Sequence, residues 1–213
     1  TLVKNLISNY YFLKHLRDTM FEKNINLVDI QTIAVSLVVL GVCLLRIIPH
    51  INNFSPIIAL AIFSSLHFKN RQYSYIVTIL SLWVSDFFIN NFVYNLTTDV
   101  FWFYEGFYWQ YLSYIIIIFL SSLSINKKIN FRNTIFLAFS SSFIFFLVTN
   151  FGFWITTDFY SYDTLGLIEC YVAGIPFFKG TLSGTLFYTP IFFGGYYILQ
   201  KKFSYLRNKN LLY

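Results

Sequence analysis

The sequence predicts an all-α polytopic membrane protein with six transmembrane helices and both termini in the cytoplasm. Two observations lead to this prediction. Only 11% of the 213 residues are charged, 57% are hydrophobic and the mean hydropathy is +0.61, whereas a soluble domain carries about 25% charged residues. So few charges cannot cover a domain of this size with polar surface, which excludes a soluble globule. The apolar residues also gather in runs that are separated by basic segments.

The apolar runs give the predicted spans. A helix needs about 20 apolar residues to cross a hydrocarbon core about 30 Å thick, and six runs reach or approach that length. They are 29–48, 55–68, 73–94, 108–125, 133–155 and 181–200. The second run is the shortest. Together they define a transmembrane domain over 29–200, between a cytoplasmic segment, 1–28, and a basic cytoplasmic tail, 201–213.

The basic residues predict the orientation, because Lys and Arg collect in short cytoplasmic loops. Of the 15 basic residues, 13 precede the first span, follow the sixth, or lie in the connections after the second and fourth. The opposite connections carry most of the acidic residues: Asp99, Glu105, Asp158, Asp163 and Glu169. This pattern predicts a multi-pass membrane protein. The net charge of +6 is spread over four segments and forms no single patch, so nucleic acid is not an expected partner.

The beginning of the chain leaves two alternatives open. The sequence starts at Thr1, and its only methionine is Met20. Either the sequence is a fragment, or residues 1–19 lie upstream of the natural start.

Polar residues inside the spans are the first functional candidates, since a charge at mid-membrane costs about 2.5–3.5 kcal/mol on insertion. At 1.5 Å per residue, Asp86 and Asn150 lie roughly 20 and 25 Å from the inner face. Arg46 ends the first span on the same outer side, followed by His50 and Asn53. Polar groups at one depth in an apolar cleft predict a binding site. The alternatives are an Arg46–Asp86 pair that only neutralises two charges, an interhelical hydrogen bond at Asn150 and an interfacial loop position for His50.

The segment 156–180 is too long and too apolar for a plain connection. Residues 166–178 predict a short helix on the outer face, between the fifth and sixth spans, closed by a Gly and Pro turn. Such a helix would cap the site, with Tyr171 and Phe177 as stacking surfaces and Glu169 as a charge. Trp154, near the end of the fifth span, joins this set of contacts. The alternative is an interfacial hairpin that binds no ligand.

The sequence lacks the motifs of membrane hydrolases. It contains no His-Glu-x-x-His, no Gly-x-Ser-x-Gly and no P-loop. Cys43 and Cys170 are best interpreted as free buried thiols. We therefore predict that the protein is not an enzyme, that it has no catalytic residues, metal or cofactor, and that any energy for transport comes from a partner or an ion gradient.

Several runs resemble an uncharacterised bacterial family of integral-membrane transport proteins. They are Arg46–Pro56, Ala59–Phe63, Ser85-Asp86, Asn150-Phe151-Gly152 and Cys170–Phe178, and the resemblance covers about residues 30–200. That family is similar in layout to the S components of energy-coupling factor (ECF) transporters. Those proteins have six helices and inward termini, and they bind vitamins or related small molecules near the outer face.

The resemblance implies a substrate-binding subunit for uptake of a small solute such as a vitamin. It also implies that residues 47–55 gate the site. Small residues, Ala59, Ala61 and Ser65, would pack against an energising transmembrane subunit that works with ATPases. Membrane lipid is the other expected partner. Two alternatives remain: a membrane-embedded enzyme that uses Asp86 and His50 on lipid, and a structural subunit of a membrane complex.

Overall fold

A computed structural model describes residues 30–47, 53–68, 70–94, 100–124 and 130–202. Over these ranges the chain forms six helices and no strand. They are α1 (Ile30–Ile47), α2 (Ile57–His67), α3 (Arg71–Phe88), α4 (Phe107–Ser122), α5 (Phe131–Thr156) and α6 (Thr164–Lys202), and a π-helical turn, Ile89–Val93, continues α3. The predicted all-α class is confirmed. The segments 1–28 and 203–213 lie outside the described residues.

The short helix α2 forms the centre of the bundle. All of its 11 residues are buried, and it contacts each of the other five helices. This placement follows from its sequence, because a helix that is apolar on every face has no side to present to water. Its two serines are satisfied locally: the hydroxyl of Ser64 donates to the Ala61 carbonyl and that of Ser65 to the Ile62 carbonyl.

Three helical stretches are long and apolar enough to cross a membrane: 71–93, 131–156 and 164–202. The helices α2 and α4 are also apolar but shorter. Large apolar side chains such as Leu44, Phe92 and Phe136 are exposed along the outside of the bundle. An apolar exterior of this extent is typical of a surface that meets lipid. These features indicate a membrane protein.

The last helix corrects the predicted layout. We expected a separate short helix over 166–178 and a span over 181–200, but α6 is one continuous helix of 39 residues. At 1.5 Å per residue it is about 58 Å long. Pro176, which we expected to close the short helix, lies inside α6, as does Pro190. Neighbouring helices hold a proline-containing helix together in a membrane bundle, and here the first half of α6 packs along α5.

Asp163 caps the beginning of α6. Its Oδ1 accepts a hydrogen bond from the Gly166 amide at 2.7 Å and another from the Ser161 hydroxyl at 2.9 Å. These bonds, the Gly166 bond foremost, hold the pKa of Asp163 below its ordinary value of 3.8. Such a cap satisfies an amide that the helix itself leaves without a partner.

We expect the Asp163 cap to depend on pH. Because its pKa is lowered in the folded state, the carboxylate supports the first turn of α6 above about pH 4, and this support is lost as pH falls through the folded-state pKa. At pH 7, hydrogen–deuterium exchange over 164–170 should therefore be faster in Asp163→Ala than in wild type. The difference should vanish at low pH. Asp158→Ala, earlier in the same connection, is the control, and equal exchange of Asp163→Ala and wild type at pH 7 would contradict the assignment.

Candidate functional site

A cavity of about 390 Å³ lies between the C-terminal half of α5 and the N-terminal half of α6. Half of its lining residues are aromatic, and none carries a formal charge. The lining residues are Asn53, Phe145, Phe146, Thr149, Asn150, Phe153, Phe159, Tyr160, Cys170, Ala173, Gly174, Phe177, Phe178 and Thr181. The cavity is therefore an apolar, aromatic space with a few neutral polar groups in its wall.

Asn150 provides the most defined polar group of this wall. Its side-chain nitrogen donates to the Phe146 carbonyl at 2.8 Å. Because a carbonyl can only accept, the atom that bonds to it must be the side-chain nitrogen, and the other amide atom, Oδ1, is an acceptor. Oδ1 lies against Gly174, where a Cβ would overlap it, and it receives no hydrogen bond from the described residues. Glycine at 174 thus leaves room for an acceptor atom in the wall of the cavity.

The other polar groups of the wall are also turned so that they can accept. The hydroxyl of Thr149 donates to the Phe145 carbonyl at 2.7 Å, and that of Thr181 donates to the Phe177 carbonyl at 3.2 Å. A hydroxyl that already donates its one hydrogen to a backbone carbonyl can still accept a hydrogen bond from a ligand through its lone pairs. The thiol of Cys170 donates to the backbone carbonyl of Asn150 at 3.4 Å. The wall therefore offers acceptors to a neutral ligand that carries N–H or O–H groups.

Asn53 reaches the cavity from the connection between α1 and α2. It has a φ of 60°, a left-handed conformation that asparagine tolerates better than most residues. The connection then passes close to α6, since a Cβ on Gly184 would lie 2.8 Å from the Ser55 amide nitrogen. The ring of Phe54 packs against Phe187, with centroids 5.5 Å apart. Glycine at 184 and the Phe54 ring thus seat this connection against α6.

Arg46 and Asp86 form an ion pair between α1 and α3. Arg46 Nη1 lies 2.6 Å from Asp86 Oδ1 and donates to the Ser85 hydroxyl, also at 2.6 Å. Tyr111 of α4 donates to Asp86 Oδ2 at 3.2 Å. The two charged side chains are only 13% and 10% exposed. This network joins three helices, and both oxygens of the carboxylate have partners.

Tyrosines surround the ion pair on its α4 side. Besides Tyr111, Tyr104 and the buried Tyr114 lie near enough to interact electrostatically with Asp86. Tyr104 donates to Gln110 Oε1 at 2.5 Å. Burial, together with the charge of Asp86, raises the pKa of Tyr104, so its hydroxyl keeps its proton. The ring of Tyr114 contacts Phe145 with centroids 5.4 Å apart, and α4 therefore links the ion pair to the wall of the cavity.

The sequence profile of one protein family matches residues 26–207, which include all six helices, the cavity and the ion pair. The chain belongs to DUF6580, a family of unknown function. No curated protein and no solved structure matches the chain. Membership of DUF6580 indicates neither a substrate nor an activity.

The residues predicted from sequence occupy different places in this DUF6580 protein. Asn53, Asn150 and Phe177 line the cavity, whereas Arg46 and Asp86 pair with each other and do not line it. The polar residues that were predicted at one depth therefore form two separate groups, one in the cavity wall and one in the ion pair.

The remaining predicted residues hold the end of the α5–α6 pair or lie apart from it. Trp154 Nε1 donates to the Ser161 carbonyl at 2.9 Å, and the Tyr171 hydroxyl donates to the Leu147 carbonyl at 2.8 Å. Glu169 is exposed. His50 lies outside the described residues. Cys43 and Cys170 are free and buried, as predicted.

Sequence reasoning missed most of the cavity wall of this DUF6580 protein. The missed residues include Phe146, Thr149 and Phe153 on α5, and Ala173 and Thr181 on α6. The α5 residues recur every three or four positions, and Ala173 and Thr181 are eight positions apart, so each set lies along one face of its helix. That spacing was the available signal, but 27 phenylalanines give every face of these helices similar aromatic character.

Proposed function

We propose that this DUF6580 protein is a membrane transport protein that binds one small solute between α5 and α6. The observation that carries the proposal is the cavity. Its volume of about 390 Å³ falls within the range of about 300–1,000 Å³ that small-molecule sites occupy. Its aromatic walls with a few polar groups are also typical of such sites.

The chemistry of the wall favours a neutral solute with an aromatic or other flat apolar part. Phe146, Phe177 and Phe178 offer ring surfaces, and no lining residue could compensate a formal charge. Burying an uncompensated ion in apolar surroundings is costly. Asn150 Oδ1 and the Thr149 and Thr181 hydroxyls are the acceptors that would orient N–H or O–H groups of the solute.

The proposed topology has six passes through a bacterial inner membrane, with both termini in the cytoplasm and α2 as a short pass inside the bundle. The distribution of basic residues supports it. In this arrangement the protein acts as an S-component-like subunit. Since the sequence has no P-loop, an energising transmembrane subunit and ATPases would drive uptake.

The connection over 47–55 is the proposed gate. The Arg46–Asp86 pair anchors its beginning on α3, and Phe54 anchors its end on α6, while Asn53 lies between these anchors in the cavity wall. A movement of this connection would therefore change the wall directly. The occupied oxygens of Asp86 favour this anchoring role over acid–base work by a lipid-modifying enzyme.

Filling the cavity tests the proposal. Ala173 lines the cavity, whereas the neighbouring Val172 is exposed on α6 and does not line it. We expect mass spectrometry to detect a stoichiometric neutral compound released from mildly purified wild type and from Val172→Phe. The phenylalanine of Ala173→Phe would occupy the space of the solute, so this variant should release at least about tenfold less, the change that a loss of 1.4 kcal/mol of binding gives.

Two results would contradict a solute-binding function. One is a folded, monodisperse wild-type protein that releases no compound after growth in rich medium. The other is equal release from wild type, Ala173→Phe and Val172→Phe, since a compound that is indifferent to the cavity is bound elsewhere.

A further inference from the structure

A second cavity lies at the opposite end of the α5–α6 pair. It has a volume of about 570 Å³ and runs between the first turns of α5 and the last third of α6. Its wall is mainly apolar and includes Phe131, Ile135, Pro190 and Phe193. A Cβ on Gly194, another lining residue, would meet no atom within 4 Å. We call this space the lower groove.

Two basic residues are close to residues that line the lower groove, Lys201 by contact and Arg132 in sequence. Lys201 Nζ lies 4.5 Å from the ring centroid of Tyr197, which lines it. Arg132 directly follows the lining residue Phe131 and is exposed. The stretches 130–135 and 189–202 contain no acidic residue. The lower groove thus combines an apolar trough with positive charge at one end.

We propose that the lower groove binds an anionic phospholipid. An acyl chain would lie against Phe131, Pro190 and Phe193, and the phosphate would lie near Arg132 and Lys201. Mainly apolar walls without a charged lining residue, with basic residues beside them, match an amphiphile better than a small anion. Basic residues at the ends of membrane helices attract anionic headgroups in this way. This site is separate from the cavity that carries the proposed function.

Lipid competition tests the site. Protein in an uncharged detergent is offered equimolar phosphatidylglycerol and phosphatidylcholine with identical acyl chains, and native mass spectrometry measures the lipid retained. Wild type should prefer phosphatidylglycerol. The double variant Arg132→Gln and Lys201→Gln should lose that preference by about fivefold for each charge removed. Because both side chains are exposed, this variant should fold normally.

A matched pair of glycine variants tests the trough. Gly194→Phe should fill it and lose both lipids, whereas Gly195→Phe should retain them, because Gly195 is exposed and does not line the groove. Equal retention of the two lipids by wild type, an unchanged preference in the double variant, or identical behaviour of the two glycine variants would overturn the proposal. Displacement of the lipid by soluble glycerol phosphate would also overturn it, since a phosphate site would then suffice.

Discussion

Replacing Asp86 with leucine is expected to lower the free energy of unfolding by about 3–5 kcal/mol, the cost of leaving a buried charge without its counter-ion. In Asp86→Leu the guanidinium of Arg46 would lose its partner at 2.6 Å while it remains buried. Arg46→Met should be similarly destabilising, because the Asp86 carboxylate would keep only the hydroxyl of Tyr111. The free energies of unfolding of wild type, Asp86→Leu and Arg46→Met can be measured by reversible unfolding in mixed micelles.

The double variant Arg46→Met and Asp86→Leu is the decisive control. With both charges removed, no ion remains to be desolvated, so most of the stability should return. If the two single losses simply add, the ion pair is not the source of the destabilisation. The double variant also separates two interpretations of the pair: retained solute binding indicates a pair that only neutralises two charges, whereas lost binding by a stable protein indicates that the pair positions the connection over 47–55 or contacts the solute.

The second large effect is expected at Gly152. This buried glycine of α5 lies against the indole ring of Trp109 on α4, so that a Cβ would overlap three ring atoms. Gly152→Ala should therefore force the two helices apart and destabilise the protein by about 1–3 kcal/mol, the usual cost of overpacking a core. The lower melting temperature should be accompanied by a change in tryptophan fluorescence.

A smaller ring partner should relieve the overlap. The double variant Gly152→Ala and Trp109→Leu should lose less stability than the sum of the losses of the two single variants. Gly195→Ala is the control, because a Cβ there meets no atom within 4 Å. A Gly152→Ala variant as stable as this control would show that α4 and α5 do not pack closely at this position.

The positions of the helices were largely predictable, because apolar runs between basic segments mark them directly. Five of the predicted apolar runs agree in position with α1 to α5 to within a few residues. The failure at α6 has a physical reason. Gly174 and Pro176 are breakers in water, but Gly174 allows Asn150 to pack against α6, and packing of this kind is invisible to a pattern that considers each residue alone.

The candidate site was predictable only in part. We expected Arg46 and Asp86 in a binding site with Asn150 and gave an ion pair as the alternative, and the two residues do form an ion pair. We grouped Asn150 with Arg46 and Asp86 because counting residues within a span gives only the depth of a residue in the membrane. Depth says nothing about position around the bundle, and Asn150 lies across α4 on the wall of the cavity. The order of the helices around α2 was the missing information.

The buried position of α2 has a consequence for biogenesis. At 11 residues, or about 16 Å, α2 is too short to be recognised alone by the insertion machinery, which accepts segments of about 17–25 residues. In the proposed six-pass topology, its three-residue link to α3 would let the two helices insert together as a hairpin. Since α2 is also covered by α6, which follows the other five helices in the chain, the core is completed only once α6 has left the ribosome. Until then, quality-control proteases would meet an unfinished bundle.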